Sequence, residues 1–350
     1  AASLFAGGQP LYLRSESATA TIALAVPPGS PRPYQGGLEL HPAAGGGFEV
    51  IAELPLEEYL RGVVPSEIGS TSPAHAQAAQ AVAARSFAVL ALLRSNHPGT
   101  KYNVCSTVDC QAYSGLLKAV PATDAAVRLT RGQVLTFEGK PIPAYYASNC
   151  GGHTEDIRIS WPGRANQRAY HGSARTDGPA SLSFDLSRET DFRKWLSFDP
   201  DTYCNPNRYK LLAWAGRNFR WTREYSADDV TTFVAQHKDI GRVLEIRTGA
   251  RGASGRLKEL EFVGEKGTFR IGPELAIRRL FVPALRSGAF TVEAVGPAGR
   301  PTAFVFHGAG NGHGVGMCQT GAMGMANAGK NFHEILSHYY PNATVEKLYD

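Results

Sequence analysis

The stretch PAHAQAAQAVAARSFAVLALL, residues 73–93, decides the fold of this chain. Ala and Leu, two of the strongest helix formers, dominate it and predict one long helix. Pro73 suits the first helical position, Ser72 is the expected N-cap, and the pattern ends at Gly99. Arg85 interrupts the apolar run, which is shorter than the roughly 18 uninterrupted apolar residues that a membrane span needs. The stretch therefore predicts a core helix.

Short strands and a second helix precede this core helix. Between residues 9 and 53, apolar and polar positions alternate in LYLRSE, TIALAV, GLELH and FEVIAEL, separated by Gly and Pro clusters. Such alternation is typical of antiparallel strands. Pro55 then opens a helix in LPLEEYLRGVV, where Glu57 and Glu58 suit the positive end of the helix dipole. The following PSEIGSTSP, residues 65–73, is predicted to be a loop.

Strand patterns return after the core helix, at residues 133–137 and 142–148. From Arg242 onward they recur in RVLEIRTG, RLKELEFVG, GTFRIG, AFTVEAV and AFVFHG, and a helix is expected over residues 319–328. This order predicts the α+β class rather than alternating βαβ units. The chain is expected to divide into a strand-rich part (1–54), a segment with the core helix (55–154), a less patterned insertion or lid carrying the four tryptophans (155–230), and strands with a closing helix (231–350).

The composition indicates a globular chain with many turns. Among 350 residues, 43% are hydrophobic and 19% charged, which allows a sizeable core and excludes a disordered chain. The 38 glycines and 22 prolines argue against a helical bundle or coiled coil. The net charge of +5 suits an anionic partner, but no dense Lys/Arg run points to a nucleic-acid groove. The start AASLFAG suggests a processed or truncated form, with any targeting segment outside this chain.

Glu67, in VVPSEIGS, is a candidate general acid and base. A carboxyl held in a turn between Pro65 and Gly69, against apolar neighbours, can have a raised pKa and exchange protons with a substrate. The alternative is a helix-capping or solvated glutamate, since most loop carboxylates are surface groups.

Three polar side chains stand out on the otherwise apolar core helix. Gln77 and Gln80 share one face of the helix, and Arg85 follows just over a turn later. They could bind a sugar or the loop that holds Glu67. Equally, Arg85 could satisfy buried carbonyl groups inside the fold.

The cysteines allow either disulfides or metal ligands. The spacing in CSTVDCQAYSG, residues 105–115, fits a small disulfide loop or two zinc ligands. Two glycine turns, YYASNCGGHTED and GAGNGHGVGMCQTG, place His153 near one cysteine and His313 near another. A zinc site built from Cys150, His153, His313 and Cys318 is one interpretation, and a Cys150–Cys318 disulfide joining the two turns is the other. The second turn lacks the lysine of a phosphate-binding loop.

Taken in order, these motifs resemble one known family. LPLEEYLRGVVPSEI, AQAAQAVAARSFAV, CSTVDCQAYSG, YYASNCGGHTED and GHGVGMCQTGAMGMA are similar to the stage II sporulation protein D (SpoIID/LytB) family. The similarity runs from about Gly36 to the terminal HYYPNATVEKLY, so it covers nearly the whole chain. It implies a SpoIID-like core of short antiparallel strands around a central Ala-rich helix.

The resemblance implies a lytic transglycosylase that acts on the glycan strands of peptidoglycan. The family's catalytic glutamate lies in its P-S-E motif, which here places the acid and base at Glu67. Such an enzyme cleaves the bond between N-acetylmuramic acid and N-acetylglucosamine and leaves a 1,6-anhydro end. Sporulation members prefer strands without stem peptides. The resemblance further implies that the glycan groove is lined or supported by Gln80, Arg85, Gln111, Tyr113, Tyr146, His153, His313 and Gln319.

Cofactors and partners follow from the same resemblance. The chemistry requires no metal, but some members bind zinc near the C-x-x-x-x-C segment, often with a His before the second Cys. Here Asp109 takes that place and His97 lies upstream, so a structural zinc stays an open alternative. Cys150 and Cys318 replace the more usual Ser or Thr, which favours a disulfide between them. The expected partners are glycan strands and a cell-wall amidase, and the expected location is the periplasm, the cell envelope or the exterior.

Two other functions compete with the transglycosylase. A related branch of the family was described as amidase enhancers, so the chain could be a non-catalytic peptidoglycan-binding protein. A metal-dependent hydrolase built on the Cys/His turns is the third alternative.

Overall fold

The structure, a computed structural model, describes residues 9–14, 20–25, 30–43, 46–94, 96–180 and 183–350. The chain divides into two units, one formed by residues up to 144 together with 345–350, and the other by residues 145–344.

The first unit combines short strands with three helices. Its strands are β1 (Leu11–Arg14), β2 (Thr21–Leu24), β3 (Arg32–Gln35), β4 (Gly37–Pro42), β5 (Phe48–Glu53), β6 (Gln133–Phe137) and β7 (Lys140–Pro141). Its helices are α1 (Leu56–Glu67), α2 (Ala74–Leu93) and α3 (Pro121–Leu129). β1, β4 and β5 form an antiparallel sheet, and β2 pairs with β3. β6 lies between β7 and the strand at Thr344–Lys347 near the chain end, numbered β16 below.

Helix α2 forms the core of the first unit. Its buried residues lie on all sides, because its many alanines let α1, α3 and β6 approach closely. Within the described residues, α2 is the one helix long and apolar enough to cross a membrane, but 78% of its most apolar window is buried inside the protein. Such extensive burial is typical of the core helix of a globular protein, as the sequence predicts for α2.

The second unit is built mainly from antiparallel strands. Its strands are β8 (Tyr146–Ala147), β9 (Arg220–Ser226), β10 (Val243–Thr248), β11 (Leu260–Gly264), β12 (Gly267–Ile271), β13 (Phe290–Val295), β14 (Ala303–Ala309) and β15 (Met317–Cys318). Its helices are α4 (Ile157–Ser160), α5 (Glu189–Ser197), α6 (Ala213–Gly216), α7 (Ala227–Ala235), α8 (Glu274–Leu280), α9 (Gln319–Asn327) and α10 (Phe332–Tyr339), with two short 3-10 turns at Pro162–Arg164 and Arg168–Tyr170.

Two three-stranded sheets hold the core of the second unit. One has the order β10-β11-β12 and the other β13-β14-β9, all antiparallel. Aromatic side chains fill the core they share, and those on the strands are buried because alternate strand positions face inward. The main ones are Phe262, Phe281, Phe290, Phe304 and Phe306. A short parallel pair, β8 with β15, brings the two glycine turns side by side.

The mixed α+β class predicted from the sequence is confirmed, as are β6, the five predicted strands β10 to β14 and helix α9. The first-turn positions of Glu57 and Glu58 on α1 are also confirmed.

Four local predictions were wrong. Helix α1 continues through Pro65 to Glu67, so the P-S-E motif is a helix end rather than a loop. Ser72 does not cap α2, because its hydroxyl donates to the Ile68 carbonyl instead. Helix α2 ends at Leu93, before the Pro98 that excludes helical backbone upstream of it. In residues 142–148 only Tyr146–Ala147 is a strand, since Pro143 lacks an N–H for a longer ladder.

The two units do not follow the four expected segments. The boundary at residues 144 and 145 falls inside the expected 55–154 segment. The last part of the expected insertion 155–230 belongs to a sheet of the second unit, because β9 pairs with β14 along its whole length.

Candidate functional site

Glu67 ends helix α1, and its carboxylate is held by a neighbouring loop. Glu67 Oε1 accepts a hydrogen bond from the backbone N–H of Ala112 at 2.6 Å. The residue is partly buried. The loop that provides this N–H, residues 105–115, therefore determines where the carboxylate points.

Two buried tyrosines and an amide lie beside this carboxylate. Gln111 Nε2 donates to the Tyr59 hydroxyl at 3.1 Å, and the rings of Tyr59 and Tyr113 lie 5.1 Å apart. Burial raises the pKa of both tyrosines, and the charge of Glu67 adds to the rise at Tyr59. Both phenols therefore stay neutral at physiological pH. Of the residues predicted to bind substrate, Gln111 and Tyr113 do lie near Glu67, and Tyr59 was missed.

Gly62 lets the loop pack closely on α1, and this contact is testable. A Cβ at this position would lie 2.4 Å from Tyr113 Cε2 and 2.5 Å from the Gly115 carbonyl oxygen. We expect Gly62→Ala to lower both the stability of the protein and the glycan-cleaving activity that the family resemblance implies, because overpacking costs about 1–3 kcal/mol and helix propensity returns at most about 1 kcal/mol. Thermal unfolding and an activity assay measure the two effects.

The matched control is Gly163→Ala, since a Cβ there meets nothing within 4 Å. It should change stability by no more than about 0.5 kcal/mol. An unchanged Gly62→Ala protein would show that the loop can move away from α1 without consequence.

The same loop contributes Cys105 and Cys110 to one of the two clusters of metal-binding side chains found among the described residues. His97 Nε2 lies 3.1 Å from Cys110 Sγ, and these atoms and Cys105 Sγ are all within 4.8 Å of one another. Burial raises the pKa of Cys110 to about 11; burial also acts to raise that of Cys105, but hydrogen bonds from Thr107 and its neighbours lower it to about 7. One imidazole and two sulfurs are zinc ligands. His97, rather than a residue next to Cys110, thus supplies the nitrogen donor of this cluster.

Arg85 lies inside the first unit, fully buried. Its Nε and Nη2 donate to the two Glu57 carboxylate oxygens at 2.8 and 2.9 Å, and Nη1 and Nη2 also donate to the carbonyls of Gln133 and Val127. Tyr349 donates to the same carboxylate at 2.5 Å. Burial acts to raise the pKa of Glu57, but the hydrogen bonds from Arg85 and Tyr349 bring it below its usual value. The position matches the structural alternative, in which Arg85 satisfies buried carbonyl groups inside the fold.

The two glutamines of α2 are also buried. Gln77 Nε2 donates to the Ser70 carbonyl at 3.1 Å, which ties α2 to the turn after Glu67. Gln80 lies one turn further on with no exposed surface. Both side chains are therefore buried inside the first unit rather than exposed on its surface.

In the second unit, His313 is held by backbone groups on both ring nitrogens. Nε2 lies 2.9 Å from the Tyr146 carbonyl oxygen, and Nδ1 accepts the Val315 N–H at 3.0 Å. A backbone donor at Nδ1 requires the neutral tautomer with the proton on Nε2. Although the residue keeps some exposed surface, burial of the imidazole lowers its pKa to about 3. His313 and Tyr146, both predicted site residues, are thus in direct contact, and neither ring nitrogen of His313 is available to a metal.

His153 and Gln319 take separate positions. His153 Nδ1 donates to the Thr154 carbonyl at 2.7 Å, and burial lowers the pKa of the imidazole. Gln319 is buried as the first residue of α9. The ligand atoms grouped with Cys150 and Cys318 come from neither histidine, so the zinc site built from Cys150, His153, His313 and Cys318 is wrong in its two histidines.

A buried polar network that the sequence did not reveal supports the glycine turns. The Glu155 carboxylate accepts from the Ser254 hydroxyl at 2.7 Å, and Arg256 donates to that hydroxyl and to the Gly312 carbonyl. Burial raises the pKa of Glu155. Since Ser254 and Arg256 lie about 100 residues from Glu155, no local pattern could have identified them.

An aromatic and cationic surface adjoins His313. The Trp161 ring lies 4.4 Å from the His313 ring and 4.9 Å from the Tyr145 ring. Arg164 donates to the Tyr145 hydroxyl at 2.6 Å, and its Cζ is 5.2 Å from both the Tyr145 and Trp161 centroids. Trp161 is partly exposed and Tyr145 is buried behind it, and amphipathic aromatic rings are enriched at interfaces. Sequence reasoning placed Trp161 in the insertion but assigned it no role.

A second cluster of metal-binding side chains lies deeper in this unit. It consists of Cys150, Asp177, Cys204 and Cys318, whose ligand atoms are all within 4.8 Å of one another. All three cysteines are free thiols, so the expected Cys150–Cys318 disulfide is not formed. Instead Cys318 Sγ accepts the N–H groups of Cys150 and Gly321, while Cys150 Sγ faces Asp177 and Cys204.

The predicted site residues fall into two sets, one in each unit. Glu67, Gln80, Arg85, Gln111 and Tyr113 lie in the first unit, and Tyr146, His153, His313 and Gln319 in the second. In the first set Glu67, Gln111 and Tyr113 lie together, and in the second set His313 contacts Tyr146.

Two family models match parts of the chain. Residues 44–137, which contain Glu67, match the model described as Stage II sporulation protein (SpoIID). Residues 169–316 match a domain of unknown function, DUF8618.

Curated relatives match over most of this chain. An uncharacterized protein of Brachyspira hyodysenteriae is 29% identical over 83% of this chain and 66% of its own length. The amidase enhancer of Bacillus subtilis (strain 168) is 28% identical over 82% of this chain and 40% of its own. Stage II sporulation protein D of Bacillus amyloliquefaciens is 26% identical over 85% and 76%, respectively. This chain thus spans less than two thirds of the length of the first two of these relatives.

The SpoIID model and these relatives together place the chain in a class of proteins with a SpoIID domain. Residues 44–137 are a SpoIID domain, and this match, with relatives named stage II sporulation protein D and amidase enhancer, confirms the resemblance carried by the motifs.

Proposed function

We propose that this protein is a lytic transglycosylase that cleaves peptidoglycan glycan strands. One observation carries the proposal: Glu67, in the SpoIID domain, ends a helix with its carboxylate fixed by the Ala112 N–H and set against Tyr59, Gln111 and Tyr113. A carboxyl group with a fixed direction in a partly buried position is what general acid catalysis requires.

The proposed reaction uses the same carboxyl twice. Glu67 first gives its proton to the oxygen between N-acetylmuramic acid and N-acetylglucosamine, and the bond from that oxygen to muramyl C1 breaks. The resulting carboxylate then takes the proton of the muramyl C6 hydroxyl, whose oxygen bonds to C1 and closes the 1,6-anhydro ring. Ordinary glycosidases need a second carboxylate for water or a covalent intermediate. Here the substrate supplies the nucleophile, so one carboxyl group suffices.

No step of this reaction uses a metal. A zinc ion held by His97, Cys105 and Cys110 would fix the loop that provides the Ala112 N–H. Its contribution would be to position Glu67, and chelation would weaken activity only through the order of that loop. Since the substrate is cell-wall glycan, we further propose that the protein works outside the cytoplasm.

A second candidate is a non-catalytic amidase enhancer that binds peptidoglycan. The specific observation in its favour is the Bacillus subtilis relative that bears this name. In this alternative the surface formed by Tyr145, Trp161, Arg164 and His313 would bind the cell wall, and Glu67 would have no chemical role.

Product analysis distinguishes the two candidates. The protein is incubated with glycan strands stripped of stem peptides and, separately, with intact peptidoglycan, and the products are analysed by mass spectrometry. Anhydro-muramyl ends from either substrate support the transglycosylase. Binding to both substrates without such ends would support the enhancer, and reducing ends that disappear with a chelator would indicate a metal-dependent hydrolase.

A further inference from the structure

Four buried side chains from distant parts of the chain meet in the second unit. Cys150 follows β8, Asp177 and Cys204 lie in loops, and Cys318 ends β15. All four are buried, with exposures between 0 and 2%. Cys150 and Cys318 are 168 residues apart in sequence. Three thiols and a carboxylate in one enclosed place are an unusual set for a hydrophobic core, because buried acidic groups need a partner.

The spacing of the donor atoms fits a tetrahedral metal ion. The sulfurs of Cys150 and Cys204 lie 3.7 Å apart, and Cys150 Sγ lies 3.2 Å from Asp177 Oδ2. Two thiolates bound to one zinc at about 2.3 Å lie about 3.8 Å apart when the geometry is tetrahedral. The four ligand atoms therefore need only small movements to surround one ion.

Neighbouring groups are arranged as the outer shell of a metal site would be. The Tyr339 hydroxyl donates to Asp177 Oδ1 at 2.6 Å, and His338 Nε2 lies 3.6 Å from the same oxygen. These contacts orient the carboxylate so that Oδ2 faces the cysteines. Such partners orient metal ligands and raise affinity.

Positive groups near the sulfurs would stabilise thiolates. Backbone N–H groups of Cys150 and Gly321 both lie 3.2 Å from Cys318 Sγ. Cys318 is also the N-cap of α9, where the helix dipole favours negative charge. The Arg220 guanidinium interacts electrostatically with Cys204 and Cys150 and is held by carbonyls that include Gly151 and Trp195. Four anionic ligands around a divalent ion leave a net negative charge, which these groups offset.

We propose that Cys150, Asp177, Cys204 and Cys318 form a structural zinc site. Three soft sulfur ligands and one carboxylate in a closed, buried arrangement select zinc over the hard cations magnesium and calcium, which take oxygen ligands. The ion joins four chain segments and fixes the turn before β15, which carries His313. Binding requires deprotonated cysteines, so two or three protons leave as the ion enters. This site is separate from the His97, Cys105 and Cys110 cluster and does not depend on the proposed reaction.

Metal analysis of matched variants tests the proposal. The full chain is produced in zinc-supplemented medium and its zinc is measured by mass spectrometry, alongside Cys204→Ser and the control Cys105→Ser/Cys110→Ser. We expect Cys204→Ser to contain one zinc ion fewer per chain than the parent protein. The control should keep that ion and lose it when Cys204→Ser is added. Tyr339→Phe, which removes only the hydrogen bond to Asp177, should weaken zinc affinity about 10–100-fold.

A readout without core variants covers the case in which Cys204→Ser does not fold. A thiol-specific mercurial added to the Cys105→Ser/Cys110→Ser protein should release one zinc ion, seen with a chelating dye. The proposal is overturned if this protein holds no zinc and takes none up after reduction. It is equally overturned if the intact mass is two hydrogens low until a reductant is added, since Cys150 and Cys204 would then form a disulfide.

Discussion

Glu67→Gln should abolish glycan cleavage and leave the folded protein intact. General acid and base catalysis each contribute about 10²–10⁴-fold to a rate, and the proposed reaction uses Glu67 for both roles. We therefore expect a loss of at least about 10³-fold in kcat. The amide oxygen of the new side chain can still accept the Ala112 N–H, so binding of glycan strands should change little. Release of anhydro-muramyl ends from denuded strands measures the effect.

Glu58→Gln is the matched control for this variant. Glu58 lies on the same helix, but its carboxylate pairs with Arg61 at 2.6 Å. Because partly exposed ion pairs contribute about 0–1 kcal/mol, this control should keep its activity and nearly all its stability. Full activity in the Glu67→Gln protein would remove Glu67 from the chemistry, whatever the state of either cysteine cluster.

Of the substitutions proposed for this protein, Arg85→Ala should cause the largest loss in the free energy of unfolding. The Glu57 side chain is only 13% exposed, and without Arg85 it would be a nearly buried carboxylate that keeps only Tyr349 as a described hydrogen-bond donor. Removing one partner of a buried ion pair costs about 3–5 kcal/mol. That is a large part of the 5–15 kcal/mol by which most domains are stable. The free energy of unfolding in urea measures the loss.

An exposed Arg–Glu pair in the same unit provides the comparison. Arg14 pairs with Glu53 at 2.8 Å, with side chains 72% and 61% exposed. Arg14→Ala should therefore cost at most about 1 kcal/mol. Adding Glu57→Ala to Arg85→Ala should recover part of the loss, because no buried charge is then left. Equal losses for Arg85→Ala and Arg14→Ala would contradict the structural role of Arg85.

Local patterns predicted most elements because they depend on near neighbours. Helix propensity identified α2, and period-2 alternation identified β10 to β14. The ends of α2 and β8 were misjudged beside Pro98 and Pro143, but the P-S-E prediction failed because a nonlocal contact decided the outcome. The P-S-E segment continues α1 although it contains Pro65, and its Glu67 is held by a backbone group 45 residues away.

The motifs predicted which residues form the candidate site better than they predicted which residues contact one another. Glu67, Gln111 and Tyr113 were named from motifs and lie together. The family resemblance predicts that Arg85 lines or supports the glycan groove, but its guanidinium donates its hydrogen bonds to Glu57 and the Gln133 carbonyl inside the fold. Spacing along the chain cannot distinguish a polar side chain that lines a site from one that is buried as a structural partner. Both kinds of residue place a polar side chain on an apolar face.

The sequence alone determined the α+β class, the resemblance to the stage II sporulation protein D family and the motif glutamate at Glu67. Only the tertiary structure decided which thiols meet. It paired Cys110 with His97, and it brought Cys204 and Asp177, rather than His153 and His313, to Cys150 and Cys318. The physical reason is that a helix or strand is encoded by residues a few positions apart, whereas a ligand cluster depends on how distant segments pack.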